Sequence, residues 1–387
     1  MKMKNCIISA ITCMALTLSL VGCGGAATGG STDAKDASAQ KGLKIAILTS
    51  PSGVDDGSFN QDNYNGILSF IEENPGSEVT NVRESTGDTA ACVKALEDVV
   101  ADYDVFVCDG FQFAGISEVA EDNPDKKFIL VDTAPSDADG NEIEVDNIYS
   151  MTFKEQEGGF FSGMAAALTS TTKKVAVVNG IAFPTNVSYQ YGFMSGVNYC
   201  NKHYGTDVEI VELPSYAGTD VTGANVGGNY VGSFADPANG KVIGDALIKE
   251  GCDVIFVAAG GSGNGVFTAA KESPEKVFVV GCDTDQYKDG ANGSENIVLT
   301  SCLKIMGEND KRVLKTILDG SFKGGNYVLG VDTDSVGYVS DPASCQLSED
   351  AIAKMDKAYE LIKNGTIVPA AAFNNLTPDN FTGIDAE

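Results

Sequence analysis

Acidic residues gather in loops that directly follow short apolar runs. Asp132 follows FILV, Asp283 stands in VVGCDTD, and Asp55 and Asp56 stand in TSPSGVDDGSFNQ. Paired carboxylates can act as general acid and general base in glycoside cleavage. They can equally accept hydrogen bonds from the hydroxyl or N–H groups of a bound ligand. Asp55 or Asp56 can instead cap the helix that follows, so the residue types alone leave these roles open.

Two phenylalanines and a glycine-rich loop lie in similarly polar surroundings. Phe59 stands in GSFNQ and Phe234 in GSFADP, where an exposed ring can stack on a purine or pyrimidine instead of joining the core. Gly260 and Gly261 open GGSGNG, which can present backbone N–H groups at the start of a helix. Because the loop lacks the GK[ST] ending of a triphosphate-binding loop, a neutral ligand fits it better.

The composition excludes several classes of function. The formal net charge is -28, and so acidic a surface repels nucleic acid. The single histidine, His203, makes histidine-based catalysis improbable and histidine-rich metal sites impossible. The calcium-like fragments that begin at Asp137 and Asp332 lack residues that an EF-hand loop requires. We therefore predict no cofactor, no metal site and no nucleic-acid partner.

The N-terminal segment predicts export and a lipid anchor. Residues 1–22 combine two lysines with an apolar run typical of a signal peptide. They end in Leu-Val-Gly before Cys23, which resembles a bacterial lipobox and predicts a diacylglycerol on that thiol. Residues 23–41 are small and polar, as in a flexible tether. An uncleaved anchor helix is the alternative.

Cysteines beyond this segment are odd in number and irregularly spaced. This pattern predicts buried thiols, with a disulfide as the alternative. They are Cys92, Cys108, Cys200, Cys252, Cys282, Cys302 and Cys345.

The elements between the loops predict the fold. From Leu43 onward, Val- and Ile-rich runs alternate with amphipathic stretches of helical length, which is typical of parallel sheets covered on both faces. The pattern occurs twice, so we expect two doubly wound α/β lobes. Ligands of such sheets bind at the carboxyl ends of the strands, which places the site in the cleft between the lobes.

A family resemblance agrees with this interpretation. The motifs that carry it, in order, are GVDDGSFNQ, FKEQEGGFFSGMAAA, VNGIAFPTNVSYQYGFMSGV, GSFADPANGK, DVIFVAAGGSGNGVFTAAK, VGCDTDQY and LTSCLK. Together they resemble the basic membrane protein family of substrate-binding lipoproteins, of the purine nucleoside receptor A type, over residues 44–338. The chain departs from the family pattern at Gly57, where a lysine is common, and in a long segment before Phe234.

The resemblance implies a type I periplasmic-binding-protein fold with a hinge, which serves an ABC importer of nucleosides. It implies that Phe59 and Phe234 sandwich the base and that Asn60 and Asp132 bind its edge. Asp283 and Lys304 would hold the ribose, the backbone at Gly260 and Gly261 would contribute from the other lobe, and Asp56 is a further candidate.

The same two-lobe interpretation gives the expected domain limits. Lobe 1 is expected to contain residues 42–151 and about 282–305, and lobe 2 residues 152–281 and about 306–338. Residues 339–387 are expected to form a C-terminal helix and a loose tail.

The resulting functional prediction is a monomeric, lipid-anchored receptor on the extracytoplasmic side of the cell membrane, which passes a nucleoside to an ABC permease. A pentose or another sugar-like solute is the alternative ligand. A nucleoside hydrolase or glycosidase that uses the aspartates is the alternative from a different class of protein.

Overall fold

The computed structural model describes residues 42–386. The predicted signal peptide, Cys23 and the tether therefore lie outside the described residues. Among residues 42–386, no helix has both the length and the apolar character that a membrane crossing requires.

Most strands are short, and those in the centre of each sheet are almost entirely apolar, as a parallel sheet covered on both faces requires. In chain order the strands are β1 (Lys44–Thr49), β2 (Glu78–Arg83), β3 (Val105–Asp109), β4 (Lys127–Val131), β5 (Ile148–Phe153), β6 (Lys174–Asn179), β7 (Glu209–Ile210), β8 (Gly218–Thr219), β9 (Asn225–Gly227), β10 (Val254–Ala258), β11 (Phe278–Gly281), β12 (Ala291–Asn292), β13 (Glu295–Asn296), β14 (Val298–Lys304), β15 (Gly325–Leu329) and β16 (Val336–Tyr338).

The helices lie between these strands. They are α1 (Phe59–Glu73), α2 (Thr89–Val99), α3 (Ser117–Asp122), α4 (Glu155–Thr169), α5 (Pro184–Tyr204), α6 (Pro237–Lys249), α7 (Gly263–Glu272), α8 (Met306–Asp319) and α9 (Glu349–Lys363).

The main strands form two six-stranded sheets, one in each lobe. The first has the order β15-β5-β4-β3-β1-β2 and is parallel throughout. The second has the order β16-β14-β11-β10-β6-β7, with β16 antiparallel to β14. Each strand order reverses within the sheet, so each lobe is doubly wound, and a crevice opens at the carboxyl ends of its strands.

The predicted limits of the lobes are wrong for two segments. Residues 298–304 form β14 of the second sheet, although we assigned 282–305 to lobe 1. Conversely, α8 packs against α1 and β4, and β15 joins the first sheet, although both fall within the range assigned to lobe 2. The chain therefore crosses between the lobes after β5, after β14 and again between β15 and β16, whereas we expected the second crossing near residue 282 and the third near residue 306.

The C-terminal segment is not a loose tail. Helix α9 packs against α4, and beyond it Ile367, Ala370 and Phe381 are buried. The Phe381 ring lies edge-on to Phe160 of α4, with 5.9 Å between the ring centroids. The prediction failed because the buried apolar residues of this segment are isolated in the sequence and form no periodic pattern. They are buried only because they pack against the second lobe.

All seven described cysteines are buried and free. The prediction of buried thiols is therefore confirmed for this part of the chain. Burial raises the pKa of the Cys92 thiol to about 12, so its reactive thiolate form is scarce near neutral pH.

Candidate functional site

A cavity lies between the lobes, at the carboxyl ends of strands from both sheets. The empty space there, including its opening to solvent, is about 600 Å³. The first lobe contributes the loop after β1 and the ends of β3 and β4, and the second contributes the ends of β6, β10, β11 and β14. The predicted residues that line the cavity are Asp56, Phe59, Asn60, Asp132, Phe234, Gly260, Asp283 and Lys304.

Three other residues from the same loops do not line it. Gly261 is not among the lining residues, and a Cβ atom added to it would be 3.1 Å from the carbonyl oxygen of Phe234. Asp55 and Asp285 are exposed. The structure thus brings together most of the predicted residues and leaves their contacts with a ligand as a prediction.

Asp56 has the structural role that the sequence left open. Its carboxylate accepts hydrogen bonds from the backbone N–H groups of Ser58, Asn60 and Gln61, at 3.0–3.2 Å. It also accepts one from Asn60 Nδ2 at 2.8 Å. These contacts satisfy the free N–H groups at the start of α1. Asp56 therefore fixes the side chain of Asn60, whose Oδ1 has no hydrogen-bond partner among the described residues.

Lys304 is the cation of the site, and it is almost completely buried. Its Nζ donates to Asp132 Oδ2 at 2.6 Å and lies 3.8 Å from Glu155 and 3.9 Å from Asp283. These carboxyl groups raise the pKa of Lys304 against the effect of burial. Burial raises the pKa of Glu155 to about 8. At neutral pH Lys304 is therefore charged and lies beside the carboxyl groups of Asp132 and Asp283. Glu155 mostly keeps its proton at that pH.

Asp283 joins the two lobes. Its Oδ2 accepts from Ser58 Oγ of the first lobe at 2.7 Å, and its Oδ1 accepts from Tyr189 Oη of the second at 3.4 Å. Its backbone has a φ of 71°, and that of Asp132 is 64°. Left-handed conformations are uncommon outside glycine and persist where the surroundings impose them, often at functional sites.

Further hydrogen bonds connect the lobes around the cavity, so the structure is closed. Ser52 Oγ donates to the Phe234 carbonyl and Gln286 Nε2 donates to the Gly57 carbonyl, both at 2.9 Å. Gly57 has a φ of 75°, a conformation that glycine adopts without strain. Gly57 therefore forms a turn whose carbonyl reaches the opposite lobe.

Aromatic rings cover the cavity from both lobes. The Phe59 ring lies under the Lys304 ammonium, at 5.0 Å from its centroid. In the second lobe Phe234 neighbours Phe183, with 6.1 Å between centroids, and Phe183 contacts Phe111 of the first lobe at 5.2 Å. Phe59 and Phe234 are each partly exposed, as a ring that binds a planar ligand must be.

The chemistry of the site is hydrogen bonding and stacking. Carboxylates, amides and one cation surround a space bordered by aromatic rings, a set that can bind hydroxyl groups and the edge of a heterocycle. Within residues 42–386, no group of three or more His, Cys, Asp or Glu side chains is placed to hold a metal ion.

The sequence analysis missed several residues of this cavity. Asp109, Phe111, Phe183, Asn186 and Tyr189 all line it. Asp109 had a usable signal, since it ends the apolar strand VFVC in the same way as Asp132 follows FILV. Phe183 directly precedes α5 and Tyr189 lies within it. No signal in the sequence marked these two residues, because apolar residues are common in and beside a helix.

The chain is similar to known proteins over most of its length. Residues 43–215 and 222–370 match the Bmp family model, described as ABC transporter substrate-binding protein PnrA-like. The unmatched residues 216–221 fall in the segment before Phe234 that looked unusually long. The chain is 31% identical over 374 residues to a CD4+ T-cell-stimulating antigen of Listeria innocua, covering 91% of this chain and 97% of that protein.

Two further proteins are similar. An ABC transporter nucleoside-binding protein BmpA of Lactococcus lactis is 30% identical over 333 residues, covering 81% of this chain and 85% of that protein. A solute-binding protein of an ABC transporter system from Aeropyrum pernix has a solved structure that superposes with a TM-score of 0.70 at 23% identity, covering 86% of this chain and 94% of that one. The predicted type I periplasmic-binding fold is confirmed.

Proposed function

The chain belongs to the Bmp family of PnrA-like ABC transporter substrate-binding proteins, and we propose that its ligand is a nucleoside, which it delivers to a permease. Members of this family are binding proteins and not enzymes. The nucleoside-binding relative from Lactococcus lactis supports the choice of ligand. The residues of the cavity supply the independent support.

The observation that carries the proposal is that aromatic rings and charged side chains line the same cavity. Phe59 and Phe234 come from opposite lobes and border the same cavity, so a planar base between them would be stacked on both faces. Stacking on an aromatic side chain contributes about 1–3 kcal/mol per base in nucleic-acid systems. A sugar without a base would leave these rings uncovered.

The charged side chains of the cavity suit a ribose. Each ribose hydroxyl can donate to a carboxylate and accept from an ammonium group, and Asp283 and Lys304 lie 3.9 Å apart. We assign the ribose to these two residues and the edge of the base to Asn60 and Asp132. The backbone at Gly260 and Gly261 would contribute from the second lobe. Lobe closure would then follow from tighter binding to the closed form.

The proposal is tested with the purified chain and a panel of ligands: guanosine, inosine, adenosine, cytidine and ribose. At a ligand concentration of about 100 times Kd, binding adds about 2.7 kcal/mol to the free energy of unfolding. We expect a clear rise in melting temperature with at least one nucleoside, and chromatography should recover that nucleoside intact. A response to ribose alone would favour the sugar alternative, and release of free base would indicate a hydrolase.

We also propose that a lipid on Cys23 anchors a monomer to the extracytoplasmic face of the membrane. The lipobox-like sequence supports the anchor, and the cavity is complete within one chain. In cells, the full-length protein should fractionate with membranes, whereas Cys23→Ser should be released from them, because it lacks the thiol that takes the lipid. Light scattering of the released form should give the mass of one chain. Retention of Cys23→Ser in the membrane would instead indicate an uncleaved anchor helix.

A further inference from the structure

Asp109 is a buried carboxyl group in the cavity wall that no part of the protein satisfies. It is the last residue of β3 and is 0% exposed. Among the described residues, neither of its carboxyl oxygens has a hydrogen-bond partner. Buried polar groups are nearly always paired in folded proteins, and each exception needs an explanation. Since Asp109 lines the cavity, a ligand is the natural partner.

The surroundings of Asp109 determine its form. In the sheet it lies opposite Val131, the residue before Asp132, so the two carboxyl groups stand at neighbouring strand ends. The buried cation of the cavity, Lys304, already binds Asp132. Burial raises the pKa of Asp109 well above its usual value, and the nearby Asp310, Asp56 and Asp132 raise it further. Full burial without a hydrogen-bond partner favours the neutral acid, which has one O–H donor and one carbonyl acceptor.

Among the described residues, the other unpaired side-chain atoms of the cavity wall are acceptors. Asn60 and Asp132 line the same cavity as Asp109, and neither Asn60 Oδ1 nor Asp132 Oδ1 has a hydrogen-bond partner within the described chain. Two such acceptors call for N–H donors on the ligand, whereas the Asp109 hydroxyl calls for an acceptor. An edge that carries a carbonyl oxygen next to a ring N–H meets both requirements. Hypoxanthine has this edge, and guanine adds an amino group to it.

We propose that Asp109 is a further ligand-contacting residue, which donates a hydrogen bond from its neutral carboxyl group to the carbonyl oxygen of a 6-oxopurine base. This inference rests on the proposed nucleoside function and adds to it a preference for inosine and guanosine. Purine riboside, which lacks the carbonyl and the ring N–H, is the reference ligand.

The experiment compares the affinities of inosine and purine riboside by calorimetry in the wild-type protein and three variants. Asp109→Leu should raise the Kd of inosine by at least about tenfold, because the ligand carbonyl then loses its donor and stays buried. The Kd of purine riboside should change little, so the ratio between the two ligands should fall toward one. Asp109→Asn, which keeps a carbonyl acceptor and replaces the O–H donor by an NH₂ group, should retain most of the preference for inosine.

Asp253→Asn is the control. Asp253 is also buried, but it precedes β10 at the end of the sheet away from the cavity, binds Ser170 and Thr171, and is not part of the cavity wall. This variant should leave the ratio of the two affinities unchanged. An unchanged ratio in Asp109→Leu, or loss of inosine binding in Asp109→Asn as complete as in Asp109→Leu, would overturn the inference while nucleoside binding by the wild type upheld the proposed function. A wild-type protein that binds no nucleoside would refute both.

Discussion

Replacing Lys304 by methionine is expected to abolish nucleoside binding and to lower the free energy of unfolding by about 3–5 kcal/mol. The Lys304 side chain is 3% exposed and its Nζ lies within 4 Å of Asp132, Glu155 and Asp283. Methionine keeps an unbranched side chain, one atom shorter, but removes the charge, so Asp132 is left buried without its partner. Removing one member of a buried ion pair costs far more than replacing both members. Urea denaturation followed by circular dichroism measures the change.

Two controls separate charge from packing in this prediction. The double variant Asp132→Asn, Lys304→Met removes both charges, so it should recover most of the lost stability without recovering ligand binding. Lys94→Met breaks an exposed pair with Asp98 on α2, and exposed pairs contribute no more than about 1 kcal/mol. If Lys304→Met were as stable as Lys94→Met, the Asp132–Lys304 pair would not be the buried centre of the cavity.

The fold could be predicted where a strand is buried on both faces. Val105–Asp109 and Val254–Ala258 are buried along their whole length, and an uninterrupted apolar run is the sequence pattern of such a strand. Ile148–Phe153 has no such run, because polar residues interrupt it. Ser150 is nevertheless buried, and its hydroxyl group is satisfied because Oγ donates a hydrogen bond to Asn326 of β15. A hydrogen bond to a residue that lies far along the chain leaves no local pattern.

The lobe limits failed for a related reason. Alternation of strands and helices continues unchanged where the chain crosses from one lobe to the other, so the pattern records the elements but not the sheet that each one joins. Strand β15 also lies at the edge of its sheet, where Val328 is 61% exposed. Edge strands need not be apolar on both faces, and this one carries little of the signal that the central strands carry.

The cavity residues divide in the same way. Asp132 and Asp283 could be placed because a polar residue at the end of a buried parallel strand must stand at the mouth of its sheet. The hydrogen bond from Ser58 to Asp283 could not, because it depends on how one lobe meets the other. For Asp56 the helix-capping role that the sequence offered is the one that the structure shows, and its neighbour Asn60 keeps the free oxygen.

Replacing Asp283 by asparagine is expected to raise the Kd of guanosine by about a hundredfold or more, while the fold remains intact. An ionised acceptor contributes about 1.5–3 kcal/mol per hydrogen bond, and 1.4 kcal/mol is about tenfold in Kd, so two weakened bonds to ribose hydroxyls account for this loss. Asparagine has the same shape and can still accept from Ser58, which keeps stability close to that of the wild type. Calorimetry with guanosine and 2′-deoxyguanosine measures the loss and its dependence on the 2′-hydroxyl.

The comparison of the two ligands identifies where Asp283 acts. If it binds the ribose, the substitution should weaken guanosine more than 2′-deoxyguanosine, because the deoxynucleoside has already lost one of the hydroxyl groups concerned. Asp283→Ala should abolish binding of both, since it also removes the contact that Ser58 makes across the lobes. Asp285→Asn, an exposed change two residues further on, should leave both affinities unaltered. Equal losses for the two nucleosides would move Asp283 away from the sugar, and an unchanged Kd would remove it from the site.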